Sequence, residues 1–368
     1  MADQAKRYCR QKYTLYLIDT VYTLVLLFVF LGLGLAVGLE NLIAKFLPAS
    51  YLLLPVFLLF IFILYFVCSF PLNFYRSYIL EHKFVLSKQS LGDWFLDQLK
   101  SGVVAYIIAF LLIAMFFSLV IALPRFWWLG ISVFWIFFSF VLARLAPVVI
   151  MPLFFKFKPL TDELLKNRII GLAKKMRIDI LDVFQIDFSK KSLKANAAFT
   201  GMGKTRRVIL ADTLKDKYSY DEIEVILAHE FAHYKLKHIF KLLIFNSLLT
   251  FFLFYLISKT CVYTLAVFNL VSLAQPAAVP LCFVYFILFG LLMQPLEALL
   301  SRRFEKDADK LALEITKSPE AFISMMNKLA DQNLADRSPA AIIKFFFFDH
   351  PPINERIQMA NSFKTVSI

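Results

Sequence analysis

Long apolar blocks alternate with polar segments along this chain, and the blocks have the length of membrane-spanning helices. Roughly 20 consecutive apolar residues cross a bilayer as an α-helix. Six blocks are near or above that length, at approximately residues 14–39, 51–72, 103–123, 126–151, 239–258 and 276–300. The first follows a basic start, but it is too long for the apolar core of a signal peptide and has no clear small-residue cleavage site. We therefore predict six transmembrane helices, with the first block retained as a span.

The polar segments between and after these blocks are predicted to fold. Residues 161–175 have helical spacing, and strand-like runs follow at residues 182–188 and 207–211. A stretch with Gly201 and Gly203 separates the two runs and suggests a hairpin. Further helices are predicted from Asp221-Glu222 onward and over residues 301–316 and 319–332. The predicted fold is mainly α, a polytopic membrane helical bundle joined to a polar domain with a small β-sheet.

Composition and charge placement agree with a membrane protein. Of the 368 residues, 60% are hydrophobic, whereas soluble globular proteins are about half apolar. The stretches 40–50, 124–125 and 259–275 carry one Lys or Arg each, so most of the basic residues behind the +13 net charge fall on the other side. The positive-inside rule then puts both termini and both polar segments in the cytoplasm, at the ER membrane of a eukaryote or the inner (plasma) membrane of a bacterium. Because orientation and headgroup contact explain the basic charge, no nucleic-acid partner is expected.

A zinc-binding pattern, HExxH, occurs shortly before the fifth apolar block. It reads His229-Glu230-Phe231-Ala232-His233. On a helix the two histidines lie on one face, so both imidazoles can bind a single ion. Glu230 then lies beside the open coordination position and can take a proton from the attacking water. The alternative is a chance match on an amphipathic helix, which explains the pattern poorly in a chain with only five His residues.

A catalytic zinc site needs a third protein ligand. The third His of the metzincin pattern would fall at position 239, which is Ile239, so that class is excluded. His238 lies five residues after His233 and would point to another face of a continuous helix. The third ligand must therefore come from another part of the chain.

Two acidic residues after the last apolar block have the required spacing. Glu305 and Asp309 are one helical turn apart, so Glu305 can be the ligand while Asp309 accepts a hydrogen bond from a metal-bound His. The alternative is a solvated helix start in which Arg302 and Arg303 pair with these acids. Because the HExxH motif still needs a third ligand, we favour Glu305 as a metal ligand over a solvated helix start.

His350 is a further candidate, because it precedes Pro351-Pro352, which keep its backbone extended. Its imidazole can stabilise the oxyanion of a tetrahedral intermediate. A helix-capping or surface His is the alternative.

Two ionisable residues, Arg144 and Glu297, lie within or near predicted spans. Such groups usually face a bundle interior or an aqueous cavity. They predict a water-accessible chamber among the helices.

From about Tyr51 to Met359 the chain resembles the type I CAAX prenyl endopeptidases, membrane-embedded zinc proteases of the gluzincin group. The specific matches, in the family order, are HEFAH, SRRFEKDAD at residues 301–309 and His350-Pro351-Pro352 with Glu355-Arg356. Supporting matches include Lys88-Gln89-Ser90-Leu91-Gly92, Met151-Pro152-Leu153-Phe154 and Asn196-Ala197. The family typically has seven spans, against the six predicted here.

The resemblance implies that one Zn²⁺ per chain is bound by His229, His233 and Glu305. It also implies that Glu230 is the general base and that Asp309 lies behind the ligands. In this family the spans enclose a large water-filled chamber, which a zincin-like catalytic domain caps.

The resemblance also implies how the substrate is held. Asn196, Ala197 and Ala198 would lie on an edge strand that pairs with an extended substrate backbone, which presents the scissile carbonyl to the metal. His350 and Arg356 would contact the substrate near that carbonyl. The corresponding domain organisation is spans one to four in 1–153 with a cytoplasmic loop at 73–102, catalytic parts in 154–238 and 301–368, and spans five and six in 239–300.

The motifs favour a zinc metalloendopeptidase that cleaves extended peptides at the membrane–cytoplasm boundary. Its partners would be a peptide or protein substrate, with or without a prenyl group, and the lipid bilayer. A CAAX processor and a quality-control protease of the HtpX type are not separated by the motifs, although the larger set of spans favours the former. The second hypothesis is a non-enzymatic transporter or scaffold, but a transporter would place its ligands near the midplane. A pseudoprotease is the third, and the presence of Glu230 argues against it.

Overall fold

The structure is a computed structural model that describes residues 2–47, 49–201, 206–215 and 217–366. Its helices are α1 (Ala2–Gly32), α2 (Leu35–Phe46), α3 (Leu53–Phe74), α4 (Leu80–Lys83), α5 (Leu91–Ala122), α6 (Trp127–Leu145), α7 (Met151–Phe154), α8 (Glu163–Lys175), α9 (Asp212–Lys215), α10 (Tyr220–Lys235), α11 (His238–Val267), α12 (Val279–Thr316), α13 (Pro319–Gln332), α14 (Ala341–Phe347) and α15 (Ile353–Val366). Its strands are β1 (Phe157–Pro159), β2 (Asp182–Ile186), β3 (Ala197–Thr200) and β4 (Arg207–Ala211). The mainly α fold with a small sheet is therefore confirmed.

Six helical segments of the described chain are long and apolar enough to cross a membrane. They are Asp3–Gly32, Ser50–Lys83, Leu91–Ala122, Trp127–Phe154, His238–Val267 and Pro276–Thr316. The predicted number of spans is confirmed. Most of the helices also extend beyond the predicted blocks, because hydropathy marks the part that meets lipid and not the helix that continues past it.

Two predicted boundaries need correction. The first span does not run from residue 14 to residue 39: α1 begins at Ala2 and ends at Gly32, and residues 35–39 belong to α2. Gly34 makes this break with φ +67°, a left-handed conformation that glycine adopts without steric cost. The predicted loop at 73–102 is helical except at residues 84–90. Ser90 caps the start of α5, since its side chain accepts a hydrogen bond from Asp93 N.

The sheet of the polar domain has the strand order β1-β2-β4-β3. The predicted hairpin between residues 182–188 and 207–211 is wrong, because β2 and β4 pair in parallel. The antiparallel partner of β4 is β3, which the residue pattern did not indicate and which only the family resemblance predicted as an edge strand. Gly201 follows β3 with φ +92°, and Gly203 lies outside the described residues. This arrangement leaves β3 at an edge of the sheet.

The two parts of the polar domain share one core, although two spans separate them in the chain. Helix α10 lies at its centre, with Phe231 and Ala232 fully buried. Helix α12 continues without a break from the last span into this core, where Ala308 and Ala312 are also fully buried. These small side chains allow close approach of α10 and α12, which positions the residues described next.

Candidate metal centre

The start of α10 is fixed by a capping box. Ser219 Oγ accepts a hydrogen bond from Glu222 N at 3.3 Å, and Glu222 Oε2 accepts one from Ser219 N at 2.7 Å. Lys328 and Ser324 of α13 also donate to this buried carboxylate. Burial raises the pKa of Glu222, but these donors outweigh it and hold the pKa below its ordinary value. The helix that carries HExxH is thereby held at its beginning and against α13.

The candidate ligands come from α10 and α12 and meet at one point. The ligand atoms of His229, His233 and Glu305 lie within 4.8 Å of one another. His229 Nε2 is 3.1 Å from Glu305 Oε2, and His233 Nε2 is 3.2 Å from Glu305 Oε1. The two Nε2 atoms are 3.0 Å apart. Both imidazoles therefore present the same nitrogen to the same carboxylate.

The chemistry of this donor set fits a metal cation. Two imidazoles and one carboxylate are a common ligand set for catalytic Zn²⁺. Glu305 Oε2 is buried and has no hydrogen bond of good geometry within the described residues. A buried carboxylate oxygen without a donor is costly, and a cation at this position would satisfy it.

Asp309 lies behind the first imidazole and is fully buried. Its Oδ1 is 2.8 Å from His229 Nδ1, and its Oδ2 accepts a hydrogen bond from Arg356 Nε at 2.6 Å. Burial lowers the pKa of His229, but the carboxylates of Asp309 and Glu305 outweigh it and raise the pKa to about 9. The same carboxylates favour a metal cation at the other ring nitrogen.

Glu230 lies between the two histidines in the chain and is partly buried. Burial raises the pKa of this carboxyl above its ordinary value, against the opposing effect of His229 and His233. A raised pKa is what a general base near neutral pH requires.

His350 reaches the cluster from the loop between α14 and α15. Its Nε2 is 3.2 Å from Glu305 Oε2, and its Nδ1 is 2.8 Å from Asp349 Oδ1. Desolvation lowers the pKa of His350, but the carboxylates of Asp349 and Glu305 outweigh it and raise the pKa. Half of this side chain is solvent-exposed, so it is accessible at the edge of the cluster.

The edge strand β3 packs over the helix that carries HExxH. The Phe199 ring contacts Phe231 and Tyr234 of α10, with ring centroids 5.0 and 5.5 Å apart. Ala211 N donates to Asn196 O at 3.0 Å. Because bonded pairs alternate in an antiparallel ladder, the backbone groups of Ala197 and Phe199 point to the free edge of the sheet.

Comparison with known proteins agrees with this arrangement. The family described as "Peptidase family M48" matches residues 159–364, which contain all the clustered residues. The family "CAAX prenyl protease N-terminal, five membrane helices" matches residues 2–156. The chain belongs to peptidase family M48.

Individual relatives of this M48 protein cover most of its length. It is 30% identical to the uncharacterized metalloprotease YhfN of Bacillus subtilis, over 97% of this chain and 84% of YhfN. It is 32% identical to CAAX prenyl protease 1 of Saccharomyces cerevisiae, over 78% of this chain and 67% of the yeast protein. The crystal structure of Ste24p from S. mikatae superimposes with a TM-score of 0.86 at 27% identity, covering 97% of this chain and 88% of Ste24p. This M48 protein is therefore a membrane metalloprotease of the CAAX prenyl protease type.

The structure brings most of the predicted site residues of this M48 protein together, and one of them is less accessible than predicted. His229, His233, Glu305 and His350 converge, but Arg356 is buried with its guanidinium held by Asp309. A substrate contact from Arg356 stays a prediction. The contact that the structure does give it is with the carboxylate behind His229.

Two open cavities lie beside the last span, and Gln294 and Glu297 line both of them. One, of about 360 Å³, is also lined by Asp349, the neighbour of His350. The other, of about 490 Å³, is also lined by Asp19 and by several apolar side chains. Glu297 thus faces a cavity, in agreement with the reasoning from sequence, and the first cavity also contacts the residue next to His350.

The sequence analysis predicted the position of His238 wrongly, because it placed this side chain on another face of the helix than the candidate ligands. In the structure His238 Nδ1 is 3.1 Å from His233 Nδ1. Neither Gly nor Pro marks the helix break that allows this contact. A chemical argument could have found it. Asp309 can accept from only one of the two candidate ligands, so the other imidazole still needed a partner for its second ring nitrogen.

Proposed function

We propose that this protein is a zinc metalloendopeptidase in which His229, His233 and Glu305 bind one Zn²⁺. The observation that carries the proposal is the convergence of these three ligand atoms within 4.8 Å, at the point where Glu305 Oε2 is buried and accepts no hydrogen bond of good geometry from the residues that the structure describes. A bound Zn²⁺ supplies a Lewis acid that polarises the scissile carbonyl. Asp309 holds the His229 ring so that its Nε2 faces the ion.

Glu230 acts as the general base. It takes a proton from the attacking water and later gives it to the leaving amine. His350 donates a hydrogen bond to the oxyanion that develops on the reacting carbonyl, since it is solvent-accessible and its Nε2 lies 3.2 Å from Glu305. Asp349, which contacts the other nitrogen, orients the ring.

The substrate binds as an added strand on β3. The outward N–H and C=O groups of Ala197 hydrogen-bond its backbone, and the exposed Asn196 and partly buried Ala198 side chains contribute to selectivity. The bond to be cleaved then lies along α10, because β3 packs on that helix through Phe199. We place this domain and both termini in the cytoplasm, on the positive-inside distribution of Lys and Arg.

For the substrate class we propose C-terminal peptides of the CAAX type that carry a prenyl group. The support is the similarity to CAAX prenyl protease 1 of Saccharomyces cerevisiae and the open cavity beside Asp349, whose lining includes the apolar side chains of Leu242, Phe346 and Phe347. A quality-control protease would use the same catalytic residues without needing the lipid. The distinction therefore rests on whether the prenyl group is required.

The test uses purified protein in detergent and one peptide in prenylated and unprenylated forms, with product masses as the readout. We expect cleavage of the prenylated peptide only, lost in Glu230→Gln while zinc stays bound. Glu224→Gln is the matched control, since Glu224 lies on the same helix but pairs with Arg168 away from the cluster. Equal cleavage of both peptides would refute the CAAX assignment and favour a general membrane protease. Appreciable cleavage by Glu230→Gln would refute the catalytic assignment, and zinc binding without cleavage by the wild type would support a pseudoprotease.

A further inference from the structure

Each of the two candidate imidazole ligands has a polar partner at its second ring nitrogen, and the two partners differ. For His229 the partner is the Asp309 carboxylate, at 2.8 Å. For His233 the partner is another imidazole, with Nδ1 of His238 3.1 Å from Nδ1 of His233. A ligand imidazole usually donates its second N–H to an acceptor, which fixes the tautomer and the orientation of the ring.

The contact depends on a break in the helix. On a continuous helix, a residue five positions after His233 would lie about 140° around the axis and could not contact it. Helix α10 ends at Lys235, and Lys237 has φ +56° and ψ +35°. A left-handed conformation is sterically unfavourable for a non-glycine residue, and here it turns the chain so that His238, the first residue of α11, points back to the ligand.

The protonation of the pair follows from the position of the ion. The proposed metal side of His233 is Nε2, which faces His229 Nε2 and Glu305. A neutral His233 that binds through Nε2 carries its proton on Nδ1 and therefore donates to His238 Nδ1. His238 must then be neutral, with its own proton on Nε2.

The surroundings hold His238 in this position. It is 1% exposed, and its ring stacks on Phe304 with centroids 4.5 Å apart and planes at 9°. Phe304 precedes the ligand Glu305, so the stack connects the ligands of α10 to the ligand of α12. A neutral partner also adds no charge to a centre that already contains the carboxylates of Glu230, Glu305 and Asp309.

We propose that His238 is a positioning residue for the metal centre, with its Nδ1 accepting the hydrogen bond that fixes the tautomer and orientation of His233. The inference rests on the proposed metal binding by His229, His233 and Glu305. Spacing had argued against His238 as a metal ligand. The inference gives it a different role, as the hydrogen-bond partner of the candidate ligand His233.

The test compares three variants of the full-length protein in detergent by competition between the protein and a chelator for Zn²⁺. His238→Phe keeps a ring to stack on Phe304 but has no acceptor, so we expect about 10- to 100-fold weaker Zn²⁺ affinity. His238→Gln displaces the acceptor from the Nδ1 position, and we expect a loss of at least about tenfold. His238→Asn places its Oδ1 close to the position of Nδ1, and we expect an affinity within about threefold of the wild type.

Two further measurements separate positioning from folding. The visible spectrum of the Co²⁺-substituted protein should change in the Phe and Gln variants and be retained in the Asn variant. His82→Phe is the matched control: the ring nitrogens of His82 lie 2.8 Å from Tyr78 O and 3.0 Å from Gln89 O, but this residue lies outside the cluster. It should lower the unfolding temperature without changing Zn²⁺ affinity.

The outcomes are distinguishable. Wild-type affinity in both the Phe and the Gln variant, or an equal loss in the Gln and Asn variants, would overturn the role of His238. If His238→Phe does not fold, the comparison of Gln with Asn still decides. Failure of the wild type to bind Zn²⁺, or wild-type affinity in His229→Ala, would instead overturn the proposed metal centre.

Discussion

The buried pair of Asp309 and Arg356 allows metal binding to be separated from folding stability. Asp309 is fully buried, and the Arg356 side chain is 9% exposed. Two nitrogens of the guanidinium contact the carboxylate, while its Oδ1 also contacts His229 Nδ1. Asp309 therefore contacts both a buried cation and a candidate ligand, and we expect it to neutralise the first and to orient the second.

The substitution Asp309→Leu should disrupt both contacts, because leucine has neither a charge nor an acceptor. Removing one charge of a buried ion pair leaves the other uncompensated, which costs about 3–5 kcal/mol of unfolding free energy. Loss of the acceptor behind a ligand imidazole typically weakens metal affinity by about 10- to 100-fold. Both effects should appear in Asp309→Leu, so this variant alone does not distinguish them.

The double variant Asp309→Leu with Arg356→Met does distinguish them. Replacing both partners of a buried pair by apolar side chains of similar volume is often neutral or stabilising. We therefore expect the metal-free double variant to recover most of the stability lost in Asp309→Leu. Zn²⁺ affinity should remain about 10- to 100-fold below the wild type, because His229 still lacks its acceptor.

The assays are unfolding of the metal-free protein in detergent and chelator competition for Zn²⁺. Glu355→Gln is the control for losing an exposed ion pair: Glu355 and Lys344 are 49% and 33% exposed, and such pairs contribute about 0–1 kcal/mol. Recovery of Zn²⁺ affinity together with stability in the double variant would refute the separation. Wild-type affinity in Asp309→Leu would refute the orienting role itself.

Three further predictions concern other parts of the protein. Ala197→Pro removes an outward N–H without breaking a bond between β3 and β4, so KM should rise at least tenfold while the unfolding temperature stays close to that of the wild type; unchanged KM would argue against strand addition. His350→Phe should lower kcat by about 10²–10³-fold with Zn²⁺ affinity kept, and an unchanged kcat would exclude its oxyanion role. Glu222 has a depressed pKa in the folded state, so its stabilisation is present above the ordinary pKa of 4.5 and is lost as pH falls through the folded value. Glu222→Gln should therefore be less stable than the wild type at pH 7, by about 1–3 kcal/mol, and the difference should shrink below about pH 4; a difference that persists in acid would contradict the ion pair with Lys328.

Sequence periodicity was sufficient to predict the candidate spans and the candidate ligands on α10. A span is a local property, because some 20 apolar residues must form a helix in lipid wherever they occur. HExxH and the Glu305–Asp309 spacing are also local, since residues four apart on a helix share a face. Chemistry then joined the two motifs, because a metal site with two ligands required a third.

The strands were predicted less well, because their pairing is not a local property. The runs near Asp182 and Arg207 were recognised, but their parallel pairing depends on β3, whose Ala-rich sequence gives little strand signal. The edge position of β3 is therefore a result of the whole sheet. The helix break at residues 84–90, between α4 and α5, was also not predicted, because the apolar block before it already ends near residue 72.

The sequence by itself determined the number of candidate spans, the fold class and the residue types of the candidate metal site, because each follows from spacing along one element. Only the tertiary structure decided what lies behind the ligands. The break at Lys237 turns His238 back onto His233, and α15 places Arg356 against Asp309. These contacts join residues from different elements, so they depend on how the helices pack, which no single segment of the sequence specifies.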